Sequence, residues 1–167
     1  MASGLGLSLP YFQIYSIPKS IMNIGGAAST TFPWEMDYSS EFFKKYFSQG
    51  AGQRALFGHE LFHLFQNKTG IKPFIGQAAG QISKSVNYSW DSKLPWGKQN
   101  FEAQAQAFGQ CAGAGAGCGR LEGQSVGGNG STLSFSKGTF TLTTAVTGSR
   151  IPQVTTFKAP INKDDKQ

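Results

Sequence analysis

Two stretches of the chain carry apolar residues at the spacing of an amphipathic helix. The first runs from about residue 53 to residue 67 and stops before Gly70 and Pro73, residue types that end helices. The second begins near Asn100, a residue type that caps helix N-termini, and runs to about residue 110. These are the two clearest elements that the hydrophobic pattern predicts.

Weaker patterns lie before and between these two helices. Residues 5–17 alternate well enough for a strand that Pro10 interrupts. Short helices are predicted over residues 41–47 and 75–86, and an irregular Trp-rich connection over residues 87–97. The first part of the chain therefore mixes strand and helix signals.

The hydrophobic period changes in the last third of the chain. The glycine-rich stretch 112–130 predicts a flexible loop. After it, apolar and polar residues alternate on both sides of a turn at residues 136–138, which is typical of a β-hairpin. Val154 and Phe157 indicate one more strand. The whole pattern predicts an α+β fold, a compact helical core with a C-terminal β-hairpin or small antiparallel sheet.

Length and composition are those of one folded domain. With 167 residues, the chain is long enough to bury a sizeable core. We expect a single domain over residues 1–161 and a disordered charged tail over residues 162–167. Glycine is frequent, at 22 residues, and only 14% of the residues are charged, which favours many turns over a helical bundle.

Charge and hydropathy argue against two classes of function. The formal net charge is +6, but the lysines are scattered and no Lys/Arg-rich run appears, so we expect no nucleic-acid binding. No stretch approaches the ~18 apolar residues that span a bilayer. The N-terminus lacks the features of a Sec signal. We therefore expect a protein that is cytosolic, leaves the cell by another route, or is a piece of a larger polypeptide.

The strongest chemical signal is an HExxH motif in the first helix, formed by His59, Glu60 and His63. Histidines at positions i and i+4 share one helix face, so both imidazoles can reach one Zn²⁺ at about 2.0–2.1 Å. Glu60 then lies beside the metal, where it can take a proton from water. Both histidines of the chain fall in this motif, which argues against a chance match. Apolar neighbours would anchor the helix in the core: Leu61, Phe62, Leu64 and Phe65.

A catalytic zinc also needs a third protein ligand and an open position for water. Because the chain has no third histidine, that ligand comes from an acid or a cysteine. Glu102 is our prediction, since it lies in the first turn of the second helix and the small residues Ala103 and Ala105 allow a close helix approach. Asp91 is the next choice, and Glu122 lies beside the glycine-rich stretch.

Cys111 and Cys118 flank a flexible Ala/Gly segment and leave two readings open. They can close a disulfide, which would indicate an oxidising compartment, or stay as free thiols. Together with His59 and His63, they could also form a structural Cys2His2 zinc site. Against that reading, the six-residue gap between them exceeds the usual two to four, and Glu60 would have no role.

The run HELFHLFQN, followed by a helix that carries Glu102, resembles the gluzincin-type zinc metallopeptidases. The likeness covers residues 53–110, and within that group it looks like the compact HExxH domains at the C-termini of bacterial polymorphic toxins and type VI secretion effectors. The resemblance implies that His59, His63 and Glu102 bind zinc and that Glu60 is the general acid/base.

The chain departs from this family pattern at two points. Gln104 and Gln106 stand where many relatives carry an acid, and the thermolysin-like oxyanion histidine is missing. Tyr88, between the two ligand segments, is our candidate if a side chain stabilises the transition state, but a buried structural aromatic is the preferred interpretation of this residue. Arg54 and Arg120 are weaker candidates for the same role.

The resemblance implies a zinc-dependent peptidase that hydrolyses a peptide bond through a metal-activated water. It also implies a secreted antibacterial effector domain, active in the periplasm or cytoplasm of a target cell. A protein or peptide substrate and a cognate immunity protein would then be its partners. Two alternatives stay open: a hydrolase of peptidoglycan peptides with the same site, and a non-catalytic zinc-stabilised binding module.

Overall fold

A computed structural model describes residues 1–7, 13–17, 28–32, 35–39, 50–71 and 88–161. The short helices predicted over residues 41–47 and 75–86, and the predicted tail 162–167, lie outside the described residues. The described residues form two α-helices and seven strands in two sheets, besides short 3₁₀ turns. The α+β class predicted from the sequence is therefore confirmed.

Helix α1 spans Ala51–Thr69, two residues longer at each end than the pattern predicts. It ends at Gly70, whose φ of 71° is the left-handed conformation that glycine adopts without strain. The apolar residues around the histidines are fully buried, as expected for an anchored helix: Leu61, Phe62, Leu64 and Phe65. None of the helices among the described residues is long and apolar enough to cross a membrane.

Helix α2 spans Phe101–Ala114 and begins as predicted. The side chain of its N-cap Asn100 accepts a hydrogen bond from the backbone N–H of Ala103 at 2.9 Å. The helix continues four residues past its predicted end and stops at Gly115, with φ 69°. Glycines inside the helix therefore do not end it, although each costs about 0.5–1 kcal/mol of helix stability relative to alanine.

Those glycines allow the two helices to pack backbone against backbone. A Cβ atom on Gly109 would lie 2.8 Å from the backbone nitrogen of His59, and one on Gly113 would collide with the backbone of Arg54 and Ala55. Gly58 faces Gly109 across the same contact, where a Cβ would lie 3.1 Å from the Gly109 Cα. The sequence predicts that alanines allow this approach, but the closest contacts are made by glycines one and two turns further along α2.

The C-terminal part is a four-stranded antiparallel sheet in the order β4-β5-β6-β7. The predicted hairpin is confirmed as β5 and β6, with Leu133 opposite Leu142 and Phe135 opposite Phe140. The additional strand that was predicted is β7, which pairs with β6. The strands have the following bounds: β4 Gln124–Gly128, β5 Ser131–Ser136, β6 Thr139–Thr144 and β7 Gln153–Lys158.

The prediction of a flexible loop over residues 112–130 is wrong. This stretch holds the end of α2, a 3₁₀ turn at Cys118–Leu121 and strand β4. Glycine here serves close approach rather than flexibility, because a Cβ on Gly127 would collide with Ser131 in β5 and one on Gly128 with the Thr69 carbonyl in α1. The sequence shows that glycine is frequent in this stretch, but it does not show which residues pack against each glycine.

A second sheet, near the N-terminus, has the order β1-β3-β2. Strand β1 (Gln13–Ile17) runs parallel to β3 (Glu35–Ser39), and β2 (Ala28–Phe32) runs antiparallel to β3. Of the strand predicted over residues 5–17, the part from Gln13 to Ile17 is confirmed as β1, and residues 8–12 lie outside the described residues. Residues Ser3–Leu5 form a 3₁₀ turn instead, which ends at Gly6 in the left-handed conformation, with φ 65°.

Packed aromatic rings, two pairs stacked and one pair edge to face, join α1, α2 and the C-terminal sheet. The ring centroids of Phe62 and Phe108 lie 4.9 Å apart, those of Phe62 and Trp96 lie 5.7 Å apart, and those of Phe108 and Phe140 lie 5.1 Å apart. All four side chains are fully buried. Such aromatic pairs contribute about 0.5–1.5 kcal/mol each beyond their buried area, so they hold the motif helix firmly in place.

Candidate metal centre

Three buried side chains meet where α1 faces the first turn of α2. The Nε2 atom of His59 lies 3.0 Å from Oε2 of Glu102, and the Nε2 atom of His63 lies 3.2 Å from the same oxygen. The two Nε2 atoms are 3.0 Å apart. All three residues are buried, and at most 9% of each is exposed. The structure thus brings together the two motif histidines and the acid predicted as their third partner.

This triangle of donor atoms has the size that a metal ion requires. Bonds of 2.0–2.1 Å in a tetrahedral site place neighbouring ligand atoms roughly 3.3–3.4 Å apart, close to the three separations observed. Among the described residues, the group of histidine, cysteine or acidic side chains whose ligand atoms converge in this way consists of His59, His63 and Glu102. The buried group can therefore bind a metal ion, and two imidazoles with one carboxylate suit zinc and other first-row divalent ions.

The same closeness shifts the protonation of the three side chains in the metal-free protein. Burial alone would raise the pKa of Glu102, but hydrogen bonds from His59 and His63 outweigh it and hold that pKa far below its usual range. Burial alone would lower the pKa of His59, but the hydrogen bond to Glu102 and the charges of Glu60 and Glu102 raise it. Without a metal, the pocket thus favours a carboxylate beside a protonated imidazole, and a bound metal ion would replace that proton as the positive charge.

Glu60 lies beside the triangle without belonging to it. It precedes Leu61 on α1 and is only 5% exposed. Besides burial, its charge contributes to the raised pKa of Tyr38 in β3 and of Tyr88, and it helps to raise the pKa of His59. This is the position expected of a group that exchanges protons with a molecule bound at the centre.

Tyr88 lies at the open side of the centre. Its ring centroid is 6.0 Å from that of His59, and 57% of the residue is exposed. Partial burial, followed by the charges of Glu102 and Glu60, raises the pKa of its phenol. The interpretation as a buried structural aromatic is therefore wrong, and Tyr88 keeps its proton next to the two carboxylates.

Gln66, three residues after His63 on the same helix face, also belongs to the centre, although the sequence did not predict it. Its Oε1 atom lies 2.8 Å from Nδ1 of His63, the ring nitrogen that points away from the triangle. The Gln66 amide nitrogen donates to the Phe101 carbonyl at 2.9 Å and to Oε1 of Gln104 at 3.0 Å. Gln104 thus contacts Gln66, whereas the Gln106 side chain favours the charged form of His59. Two features of the sequence could have indicated Gln66. It lies three residues after His63 on the same helix, and it is a polar residue within an apolar run.

The other candidates from the sequence lie elsewhere. Asp91 is exposed and accepts a hydrogen bond from the Lys93 backbone, while Glu122 accepts from Ser136 and from the Lys137 backbone. Arg54 donates to the carbonyl of Gly113, about 16 Å of helix rise from Glu102. Arg120 lies over the ring of Trp90. None of these side chains belongs to the triangle.

Cys111 and Cys118 are joined in a disulfide, which ties the last turns of α2 to the 3₁₀ turn that follows. Because the two sulfur atoms are bonded to each other, neither can serve as a thiolate ligand. The alternative of a closed Cys2His2 zinc site is therefore wrong.

No protein-family model, curated protein or solved structure matches this chain.

Proposed function

We propose that this protein is a zinc-dependent peptidase of the gluzincin type. The observation that supports it best is the convergence of His59, His63 and Glu102 with Glu60 buried beside them. Three protein ligands leave a fourth tetrahedral position for water or substrate, which distinguishes catalytic zinc sites from structural ones. The exposed Tyr88 beside the group supports access from solvent.

Each side chain has a role that follows from its place. His59, His63 and Glu102 would hold the zinc, which, when bound, lowers the pKa of a water molecule towards about 7 and polarises the scissile carbonyl. Glu60 accepts a proton from the attacking water and delivers it to the leaving amine. Tyr88, protonated at neutral pH, donates a hydrogen bond to the oxygen that becomes negatively charged.

The experiment compares the zinc-loaded wild type with Glu60→Gln on a mixture of unstructured peptides, with products identified by mass spectrometry. We expect cleavage by the wild type, and a rate about 10²–10⁴-fold lower for Glu60→Gln with its zinc retained. His59→Ala should lose both zinc and activity. Undiminished cleavage by Glu60→Gln contradicts the mechanism.

A hydrolase of peptidoglycan peptides is the second candidate, and the net charge of +6 favours it because the cell wall is polyanionic. Incubation with purified sacculi distinguishes the two substrates, since soluble muropeptides would be released only by the wall hydrolase. If neither substrate is cleaved and chelation unfolds the chain, the site is structural and the binding module is the correct alternative.

We also propose delivery as an antibacterial effector, for which the resemblance to toxin domains is the support. The Cys111–Cys118 disulfide favours action in an oxidising compartment such as the periplasm. Expression in bacteria with and without an added Sec signal tests this directly. Growth should stop when the wild type is exported and continue when Glu60→Gln is exported. Equal growth in all cases contradicts the effector role.

A further inference from the structure

Gln66 is fully buried between the helices, and both polar atoms of its amide are hydrogen bonded. The oxygen faces Nδ1 of His63 at 2.8 Å. The nitrogen donates to the backbone carbonyl of Phe101 at 2.9 Å and to Oε1 of Gln104 at 3.0 Å. Both amide hydrogens are therefore used, and the carbonyl oxygen is left for the histidine alone.

The Phe101 carbonyl determines which way this amide points. A backbone carbonyl can only accept a hydrogen bond, so it has to face the nitrogen of Gln66, and the reverse orientation would bring two oxygens together. Oε1 of Gln66 is then fixed towards His63. Because that oxygen also only accepts, the stable partner is a protonated Nδ1. A neutral imidazole with its proton on Nδ1 carries its lone pair on Nε2, the atom that faces Glu102.

The same polarity continues through Gln104, whose backbone acceptor belongs to Gln99, a residue held in place by its own side chain. The amide nitrogen of Gln104 donates to the Gln99 carbonyl at 3.0 Å. The Gln99 side chain donates to the carbonyls of Asp91 and Leu94, at 2.6 and 2.7 Å, and accepts from the Asp91 backbone N–H at 3.0 Å. Gln99 and Gln104 are 6% and 2% exposed. Each amide is thus oriented by at least one backbone group, so no link can reverse its direction.

We propose that Gln66 is a positioning residue of the metal centre, whose amide keeps the proton of His63 on Nδ1 and thereby leaves Nε2 free to bind the metal. The inference rests on the metal site of the proposed function but not on peptide hydrolysis. Metal-binding histidines ordinarily donate their second ring N–H to a carboxylate, carbonyl or water. In this protein the acceptor is a neutral side-chain amide, held in place by α2.

Loss of this acceptor has a defined consequence. Without Oε1 of Gln66, the Nδ1 proton of His63 is buried with no partner, and the tautomer with its proton on Nε2 competes with the metal. Removing such an outer partner typically weakens metal binding 10–100-fold. Gln104 offers a matched control, since it is a buried glutamine in the same helix interface that does not touch His63.

The experiment measures zinc affinity by competition with a chromophoric chelator for the wild type, Gln66→Met and Gln104→Met. We expect Gln66→Met to bind zinc about 10–100-fold more weakly, and Gln104→Met to stay within about threefold of the wild type, because the Gln66–Phe101 bond survives. Both variants lose one buried amide of the same size, so thermal unfolding should show comparable destabilisation. An equal loss of affinity in both variants overturns the proposal.

Nitrogen-15 NMR of the zinc-loaded wild type provides a readout that needs no variant. We expect His63 to carry its proton on Nδ1, protected from exchange, and to bind zinc through Nε2. Binding through Nδ1, or an Nδ1 proton that exchanges freely, overturns the proposal even if Gln66→Met does not fold. Neither readout uses peptide cleavage, so a wild type that binds zinc but cleaves nothing would contradict the peptidase and leave this inference standing.

Discussion

The carboxylate of Glu102 lies 3.0 Å from Nε2 of His59, although 43 residues separate the two along the chain. The contact exists because α1 and α2 pack backbone against backbone at Gly109 and Gly113, one helix carrying the histidines and the other the acid. The local sequence is enough to place the two histidines on one helix. The third side chain of the site joins them only when the chain folds and the two helices pack together.

Replacing Glu102 should therefore abolish tight metal binding. We expect Glu102→Ala to weaken zinc affinity more than the 10–100-fold typical of an outer partner, since a direct ligand is lost. Glu122→Ala is the matched control, because Glu122 is an exposed acid bonded to Ser136 and the Lys137 backbone. Chelator competition measures both. Similar affinities for the two variants would show that Glu102 is not a ligand.

The close helix contact predicts opposite effects for two glycine substitutions. Gly109→Ala places a Cβ 2.8 Å from the His59 backbone nitrogen, so we expect a loss of about 1–3 kcal/mol in unfolding free energy and weaker zinc binding. Gly52→Ala, on the exposed side of α1 with nothing within 4 Å, should gain about 0.5–1 kcal/mol. Urea unfolding measures both changes, and a stabilised Gly109→Ala would contradict the packing.

The shifted protonation of His59 and Glu102 predicts how pH affects the metal-free protein. The pKa of Glu102 is lowered, so its contribution to stability is present above the usual value of 4.5 and is lost as pH falls through the lowered pKa. The pKa of His59 is raised, so its contribution is complete below the usual value of 6.5 and is lost as pH rises through the raised pKa. This pair therefore stabilises the metal-free chain most between these two values.

Zinc should reverse the trend at higher pH, because it requires neutral imidazoles. We expect added zinc to raise the melting temperature more at about pH 8 than at about pH 5.5. Thermal unfolding with zinc and with a chelator at each pH measures the difference. An increment that is larger in acid would rule out binding through His59 and His63.

The place of Tyr88 predicts a kinetic effect without a binding effect. Tyr88→Phe keeps the ring beside His59 but removes the hydroxyl, so we expect kcat to fall roughly 10²-fold while KM and zinc affinity stay unchanged. Tyr15→Phe, which removes a hydroxyl bonded to Gln13, is the control. If kcat stays the same in Tyr88→Phe, the tyrosine is a surface residue with no part in the reaction.

Local patterns predicted the elements whose signal is contained in a few neighbouring residues. Helix α1, the start of α2 at Asn100 and the hairpin of β5 and β6 follow from periodicity, capping and turn chemistry. The motif histidines were visible for the same reason, since one helix carries both. The choice of Glu102 needed only that α2 pack against α1.

The features that were missed depend on what packs against them. Gly109 and Gly113 look like helix breakers in sequence, yet they fit because the α1 backbone occupies the space of their absent side chains. Strand β4 exists because β5 supplies its hydrogen bonds. Gln66 resembles any polar residue on a helix until the Phe101 carbonyl and His63 are placed on either side of it.

The most direct test of the metal centre is an anomalous difference map of the zinc-loaded crystal, recorded at the zinc absorption edge. We predict one peak per chain, bonded to Nε2 of His59, Nε2 of His63 and a carboxylate oxygen of Glu102, with the fourth position open to water. A peak with a fourth protein ligand, or no peak at these three side chains, would contradict a catalytic zinc site.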